Sequence, residues 1–275
     1  MFDVQPLSGS IGGLVRGIDL CKPIDPHAVS FLHETLLEHE VIFFRHQKMS
    51  PENHLALANL FGIPQEHEAY DHVEGYPQLT ILENDLDRPS KIEMWHTDMT
   101  FRPCPPSGSI LHAVRVPKKG GDTLFASMSA AFAGLSSKMQ SLLSGLTAVH
   151  DFSYGFKESL EAPGGAERLK NMVAKNPSVE HPVVRTHPIS GRKSIFVNPL
   201  FTVRIKGMHP SESRTLLDFL YSHVTHPEYT CRFKWEVDSV AFWDNRITQH
   251  KPVNDYWPEH RKMQRITIDD GLRPI

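Results

Sequence analysis

Strand-like alternation crowds the second half of the chain with few helical stretches between the strands. A parallel sheet needs crossover helices there, so that arrangement points to antiparallel pairing. Ser109 to Val116 sets Ile110, His112, Val114 and Val116 on one face, and Tyr229, Cys231, Phe233 and Trp235 alternate with Thr230, Arg232 and Lys234. Both segments read as half-buried strands. Val183 to Thr186 and Ser194 to Val197 flank the turn-like Pro188-Ile189-Ser190-Gly191 and predict a hairpin, while Val240 to Trp243 and Lys262 to Ile268 are further strands. The expected fold is mainly β with flanking helices: a double-stranded β-helix, or jelly roll.

Helices are legible mainly near the start. Asp25-Pro26 reads as an N-cap and first helical residue, followed by Val29, Leu32 and Leu36 at helical spacing up to the strand Val41 to Phe44. Ser50-Pro51 repeats the signal for a helix through Leu57, Leu60 and Phe61, closed by Gly62 as C-cap. A third helix follows Ser211, with Leu216, Leu217 and Leu220 on one side. No repeat or linker interrupts the sequence, so residues 1–275 are expected to form a single domain.

Composition excludes several functions. With 29 Lys and Arg against 32 Asp and Glu, there is no basic surplus for nucleic acid or an anionic membrane. Cys21, Cys104 and Cys231 are far apart and without CxxC spacing, which argues against a disulfide framework or thiolate zinc site and fits a reducing cytoplasm. No signal-peptide pattern or long apolar run is present. The 17 histidines are the unusual entry, although most read as surface residues in turns.

Two segments select among them. In an extended Trp95-His96-Thr97-Asp98, residues two apart share a side, so His96 and Asp98 can hold one ion; by itself, about one H-x-D arises by chance in such a chain. Trp243 to His250 delivers His250 from the end of a strand. His96, Asp98 and His250 together match a two-histidine, one-carboxylate facial triad, which leaves positions open on iron(II) for a chelating cosubstrate and dioxygen; zinc accepts the same ligands. In a strand, Arg261 and Arg265 share a face, and two inward guanidiniums beside a metal suit an acidic cosubstrate and an acidic substrate, whereas on an edge strand both would simply face solvent.

H-T-D at 96–98, GGDTLFAS at 120–127, HPVVRTHPISGRK at 181–193, WDNRITQH at 243–250 and the pair Arg261 and Arg265, in this order and preceded by PLSGSIGGLVRGIDL, resemble the taurine dioxygenase family of Fe(II)/2-oxoglutarate oxygenases. The resemblance implies that His96, Asp98 and His250 ligate iron(II), and that Arg261 and Thr123 hold the distal carboxylate of 2-oxoglutarate, with dioxygen as cosubstrate. It assigns a substrate sulfonate to His67 and Arg265, in a pocket lined by Tyr70, Ile92, Met99, Phe101, Phe156 and Phe201. Hydroxylation of a small sulfonate, releasing sulfite and an aldehyde, is the implied activity, and a homo-oligomer the implied assembly.

Within the pocket the sequence departs from the taurine pattern: Ile92 replaces asparagine, Gly155 serine and Met99 valine. An apolar pocket cannot satisfy an ammonium. The substrate expected is therefore a small acid with a less polar tail, such as an alkanesulfonate, alkyl sulfate or aryloxyalkanoate. Two rival classes are a zinc hydrolase, with Asp244 or Glu93 as general base, and a catalytically silent jelly-roll binding protein. The polar, Pro-containing stretch 85–93 before the H-x-D reads as a lid or an inert loop.

Overall fold

The computed structural model describes residues 2–67, 70–90 and 92–275. Asp25 caps the helix Pro26–His39 by accepting from Ala28 N at 2.9 Å, and Ser50 forms a capping box with Asn53 at the start of Pro51–Asn59. The second helix ends differently from the expectation. Leu60, in right-handed conformation, is its C-cap. Gly62 serves close packing instead, because a Cβ there would lie 2.6 Å from Ile268 Cγ2 and 2.7 Å from the carbonyl oxygen of Asp269.

Both helices cover one face of a nine-stranded sheet. Its central strands run in the order Val41–Phe44, Val240–Asp244, Gly108–Arg115, Arg261–Asp269 and Tyr76–Asn84, each antiparallel to its neighbour. A second sheet of Thr230–Phe233, Thr123–Ser127 and Thr248–Pro252 contributes to the core on the opposite face. Alternate residues of the shared strands therefore enter different cores. Ile42, Phe44, Ile110, Phe242 and Ile266 meet Leu32, Leu36 and Leu57 of the helices, whereas Phe43, Leu111, Trp243 and Met263 meet Phe125 and Phe233 of the second sheet. Apart from one parallel pairing, of Gly13–Arg16 with Val41–Phe44, both sheets are antiparallel, and together they form the expected jelly roll.

The half-buried reading holds for Thr230–Phe233 but not for Gly108–Arg115, where Gly108 to Ala113 are all buried. The second sheet covers the face that alternation alone assigns to solvent, with Leu111 and Ala113 packed against Phe125 and Phe233, while the helices cover the Ile110 face. The hairpin is present as Val184–Thr186 paired with Lys193–Ile195, and the third helix as Pro210–Val224. Among the helices not foreseen, besides Met128–Ala133 and Ser137–Leu143, are three in a row, Phe152–Gly155, Lys157–Glu161 and Gly165–Lys175. They join Leu169, Met172 and Phe152 to an apolar cluster with Met99, Phe101 and Phe201. Among the described residues no helix is long and apolar enough to cross a membrane.

Candidate active site

An antiparallel bridge brings His96 and His250 together: His96 N donates to the His250 carbonyl at 3.0 Å, and His250 N to the His96 carbonyl at 2.8 Å. Two further bonds fix the approach. Thr97 Oγ1 donates to the Thr248 carbonyl, and Asn245 accepts from Asp98 N while donating to the Asp98 and Pro106 carbonyls. Asp98 Oδ1 consequently lies 3.8 Å from His96 Nε2 and 3.9 Å from His250 Nε2, and the three ligand atoms all fall within 4.8 Å of one another. His96 Nδ1, 3.0 Å from the Met94 carbonyl, must carry its hydrogen there, which leaves Nε2 as a lone-pair donor.

All three side chains are buried. Burial pushes His250 down to about 3 and lowers His96, so both imidazoles are neutral near pH 7. For Asp98, burial works in the opposite sense, yet Arg265 and the two imidazoles hold the carboxyl well below the usual range. Two neutral imidazoles and one carboxylate in this arrangement form a divalent-metal donor set. Sequence reasoning assigned no role to Asn245 or to Ser109, whose Oγ donates to Asp98 Oδ2 at 2.8 Å. The buried Asp-Asn pair at a strand end, 244–245, is the signal that would have singled out Asn245.

Arg261–Asp269 is not an edge strand, and both of its inward arginines are 7% exposed. Arg265 Nη1 donates to Asp98 Oδ1 at 2.9 Å. His67, also buried, is driven down to about 3 by burial and by the cationic Arg265 and Arg102 around it, and its ring lies 4.7 Å from that of the half-buried Tyr70. Arg261 is different. Its Nε, like that of Arg265, finds no hydrogen-bond partner among the described residues, but here no described carboxylate lies within ion-pair distance either, and the guanidinium stands 6.0 Å from the centroid of the Tyr256 ring. Burial lowers its pKa, opposed by Tyr256 and Asp122, but a guanidinium stays charged. An unpaired buried cation is costly, so Arg261 is suited to an incoming anion.

Thr123 follows Asp122 in the second sheet and is buried for a specific contact rather than for packing alone. Trp235 Nε1 donates to its Oγ1 at 2.9 Å, leaving the hydroxyl hydrogen for another acceptor. Met99, Phe101 and Phe201 are buried together, with Ile92 and Phe156 packed against them. Met99 has φ 50, a left-handed conformation costing roughly 1–2 kcal/mol for a non-glycine residue, directly after the ligand-bearing Asp98. The two hydrolase bases fail on position. Asp244 is fully buried and bonded to Arg246 and His187, and Glu93 is exposed.

A family model described as "Taurine catabolism dioxygenase TauD, TfdA family" matches residues 3–267. The chain is 38% identical to an alkylsulfatase of Acinetobacter baylyi, covering 96% of this chain and 84% of that protein. It is 37% identical to an alpha-ketoglutarate-dependent sulfate ester dioxygenase of Pseudomonas putida, covering 97% and 89% respectively. Among solved structures, a taurine dioxygenase from Burkholderia xenovorans superposes with a TM-score of 0.85 at 37% identity over 100% of this chain and 91% of that chain. AAD-2 in complex with Mn(II) and N-oxalylglycine matches with a TM-score of 0.84 at 30% identity over 100% of both chains.

Proposed function

This chain belongs to the taurine catabolism dioxygenase TauD, TfdA family, and from that premise we propose that it is an iron(II)- and 2-oxoglutarate-dependent dioxygenase of small organosulfur anions. His96, Asp98 and His250 would hold the metal. Arg261 and Thr123 would anchor the distal carboxylate of 2-oxoglutarate. The observation that carries this assignment is the buried Arg261 guanidinium, paired with no carboxylate among the described residues, on the same strand face as Arg265, which reaches the ligand set; a zinc hydrolase has no use for it.

Bound iron, with 2-oxoglutarate and dioxygen, supplies the oxidant that hydroxylates a substrate C–H, yielding succinate and carbon dioxide as coproducts. The protein's own contribution is positioning. Arg265 and neutral His67 receive the anionic head group, the guanidinium through paired donors and the imidazole through one. Met99, Phe101, Phe156, Phe201 and Ile92 exclude water around the tail. Hydroxylation of the carbon bearing the head group leaves an adduct that collapses to an aldehyde, with sulfite from a sulfonate or sulfate from a sulfate ester.

The apolar wall favours an alkanesulfonate or alkyl sulfate over taurine. None of its five side chains accepts a hydrogen bond strongly, and a buried unpaired ammonium costs several kcal/mol. The similarity to sulfate ester enzymes supports the same preference. An aryloxyalkanoate is the second choice, with a 29% identical relative in the 2,4-dichlorophenoxyacetate dioxygenase of Cupriavidus pinatubonensis. A coupled succinate assay over taurine, alkanesulfonates, alkyl sulfates and aryloxyalkanoates tests this. The highest kcat/KM should belong to an alkyl-tailed sulfonate or sulfate; taurine outcompeting every apolar-tailed acid overturns the preference.

A further inference from the structure

Gly155 and Phe201 are packed so closely that no other residue fits at 155 as the ring now stands. A Cβ on Gly155 would lie 2.4 Å from both Cδ1 and Cε1 of Phe201, and 3.0 Å from the carbonyl oxygen of Leu200. Carbon atoms settle at about 3.5–4.0 Å, so one partner would have to yield by about 1 Å. The Phe201 backbone is held on both sides. Its N–H donates to Asn198 Oδ1 at 2.9 Å, its carbonyl accepts from Asp151 N at 2.9 Å, and Asn198 itself donates to Thr100 Oγ1 at 3.1 Å. The ring is therefore the part that moves. Its ring neighbours are Phe101, whose centroid is 5.0 Å away, and Phe156 at 6.3 Å.

We propose that Gly155 sets the length of substrate tail the enzyme accepts, by letting the Phe201 ring stand back against the bare backbone of the turn Phe152–Gly155. This rests on the proposed placement of an organosulfur anion beside Arg265, with its tail along the cluster that begins at Met99. A side chain at 155 drives the ring into that cluster and removes roughly the room of one methylene. Short tails stop before Phe201 and are unaffected. Longer tails lose about tenfold in kcat/KM for each methylene that no longer fits.

The experiment compares wild type, Gly155→Ala and the double variant Gly155→Ala/Phe201→Leu on straight-chain alkyl sulfates from ethyl to octyl, together with a crystal structure of Gly155→Ala. The expected result is a loss of about tenfold or more confined to the longer esters, recovery of those esters in the double variant, and a Phe201 ring displaced by about 1 Å. A uniform loss along the series indicates mere destabilisation and overturns the proposal, as does an unmoved ring. If wild type oxidises no member of the series, the proposed substrate class fails, and the position of the ring in the variant still decides whether 155 controls Phe201.

Discussion

Nη1 of Arg265 lies 2.9 Å from Oδ1 of Asp98, the same oxygen that Nε2 of His96 and of His250 face at 3.8 and 3.9 Å. One carboxylate oxygen thus serves a guanidinium and the metal donor set. The pair is buried, with side chains 8% and 5% exposed, so removing one partner strands the other.

Arg265→Ala should therefore destabilise the metal-free protein by about 3 kcal/mol, and a divalent ion should restore more stability to the variant than it adds to wild type. Thermal unfolding with and without Mn(II) measures both. Equal stabilisation of the two proteins would show that guanidinium and metal do not share the oxygen. In turnover, the same variant should raise the substrate KM with little change in that of 2-oxoglutarate.

Arg261→Met should show the complementary pattern. Because the Arg261 guanidinium is buried with no counter-ion among the described residues, its removal should leave the unliganded protein as stable as wild type or more so. The KM for 2-oxoglutarate should rise about 10- to 100-fold, the value of a charge-assisted hydrogen bond. Calorimetry and steady-state kinetics on the one variant read the two effects separately.

Thr123→Val and Thr123→Ser separate hydroxyl from shape. Valine removes the acceptor of Trp235 Nε1–H as well as the donor assigned to 2-oxoglutarate, and should raise its KM about fivefold to tenfold while lowering stability by about 1–3 kcal/mol. Serine keeps both bonds. It should stay within about twofold of wild type in the same assay.

The candidate donor set was legible only through several motifs in order: H-x-D at 96–98 by itself arises about once by chance, and it was WDNRITQH and the paired arginines further along that singled out His96, Asp98 and His250, which the structure brings within 4.8 Å of one another. Strand alternation and N-caps are local, which is why Asp25, Ser50 and the hairpin at 184–195 stand as expected. Burial of Gly108 to Ala113 on both faces depends on helices on one side and a second sheet on the other, both distant in sequence, and alternation cannot report it. Gly62 resembled a C-cap because glycine has several uses, and its actual use depends on Ile268. The helix Gly165–Lys175 did carry a signal, Leu169, Met172 and Val173 at helical spacing, within an otherwise polar stretch. Likewise, nothing local distinguishes Arg261, which has no carboxylate partner among the described residues, from Arg265, which pairs with Asp98; only the packed structure separates them.

Glu40 gives the stability a pH dependence unrelated to the site. Its carboxyl is fully buried, and burial raises its pKa from 4.5 to about 7 although Ser129 and Arg192 oppose the shift. The folded state then holds a proton that the unfolded state has lost. Stability is complete below pH 4.5, declines as pH rises through about 7, and is level above it, with a total on the order of 3 kcal/mol. Urea titrations at pH 5 and 8 should show this decline in wild type and little of it in Glu40→Gln. An equal decline in both would assign it to another group.

The most direct test of the metal and cosubstrate assignment is anaerobic absorption spectroscopy of the protein with iron(II), before and after addition of 2-oxoglutarate. A weak visible metal-to-ligand charge-transfer band should appear on adding 2-oxoglutarate to wild type, vanish in His96→Ala, and require a higher 2-oxoglutarate concentration in Arg261→Met. No band in wild type, or an undiminished band in His96→Ala, would contradict the assignment of His96, Asp98 and His250 as the centre that receives 2-oxoglutarate.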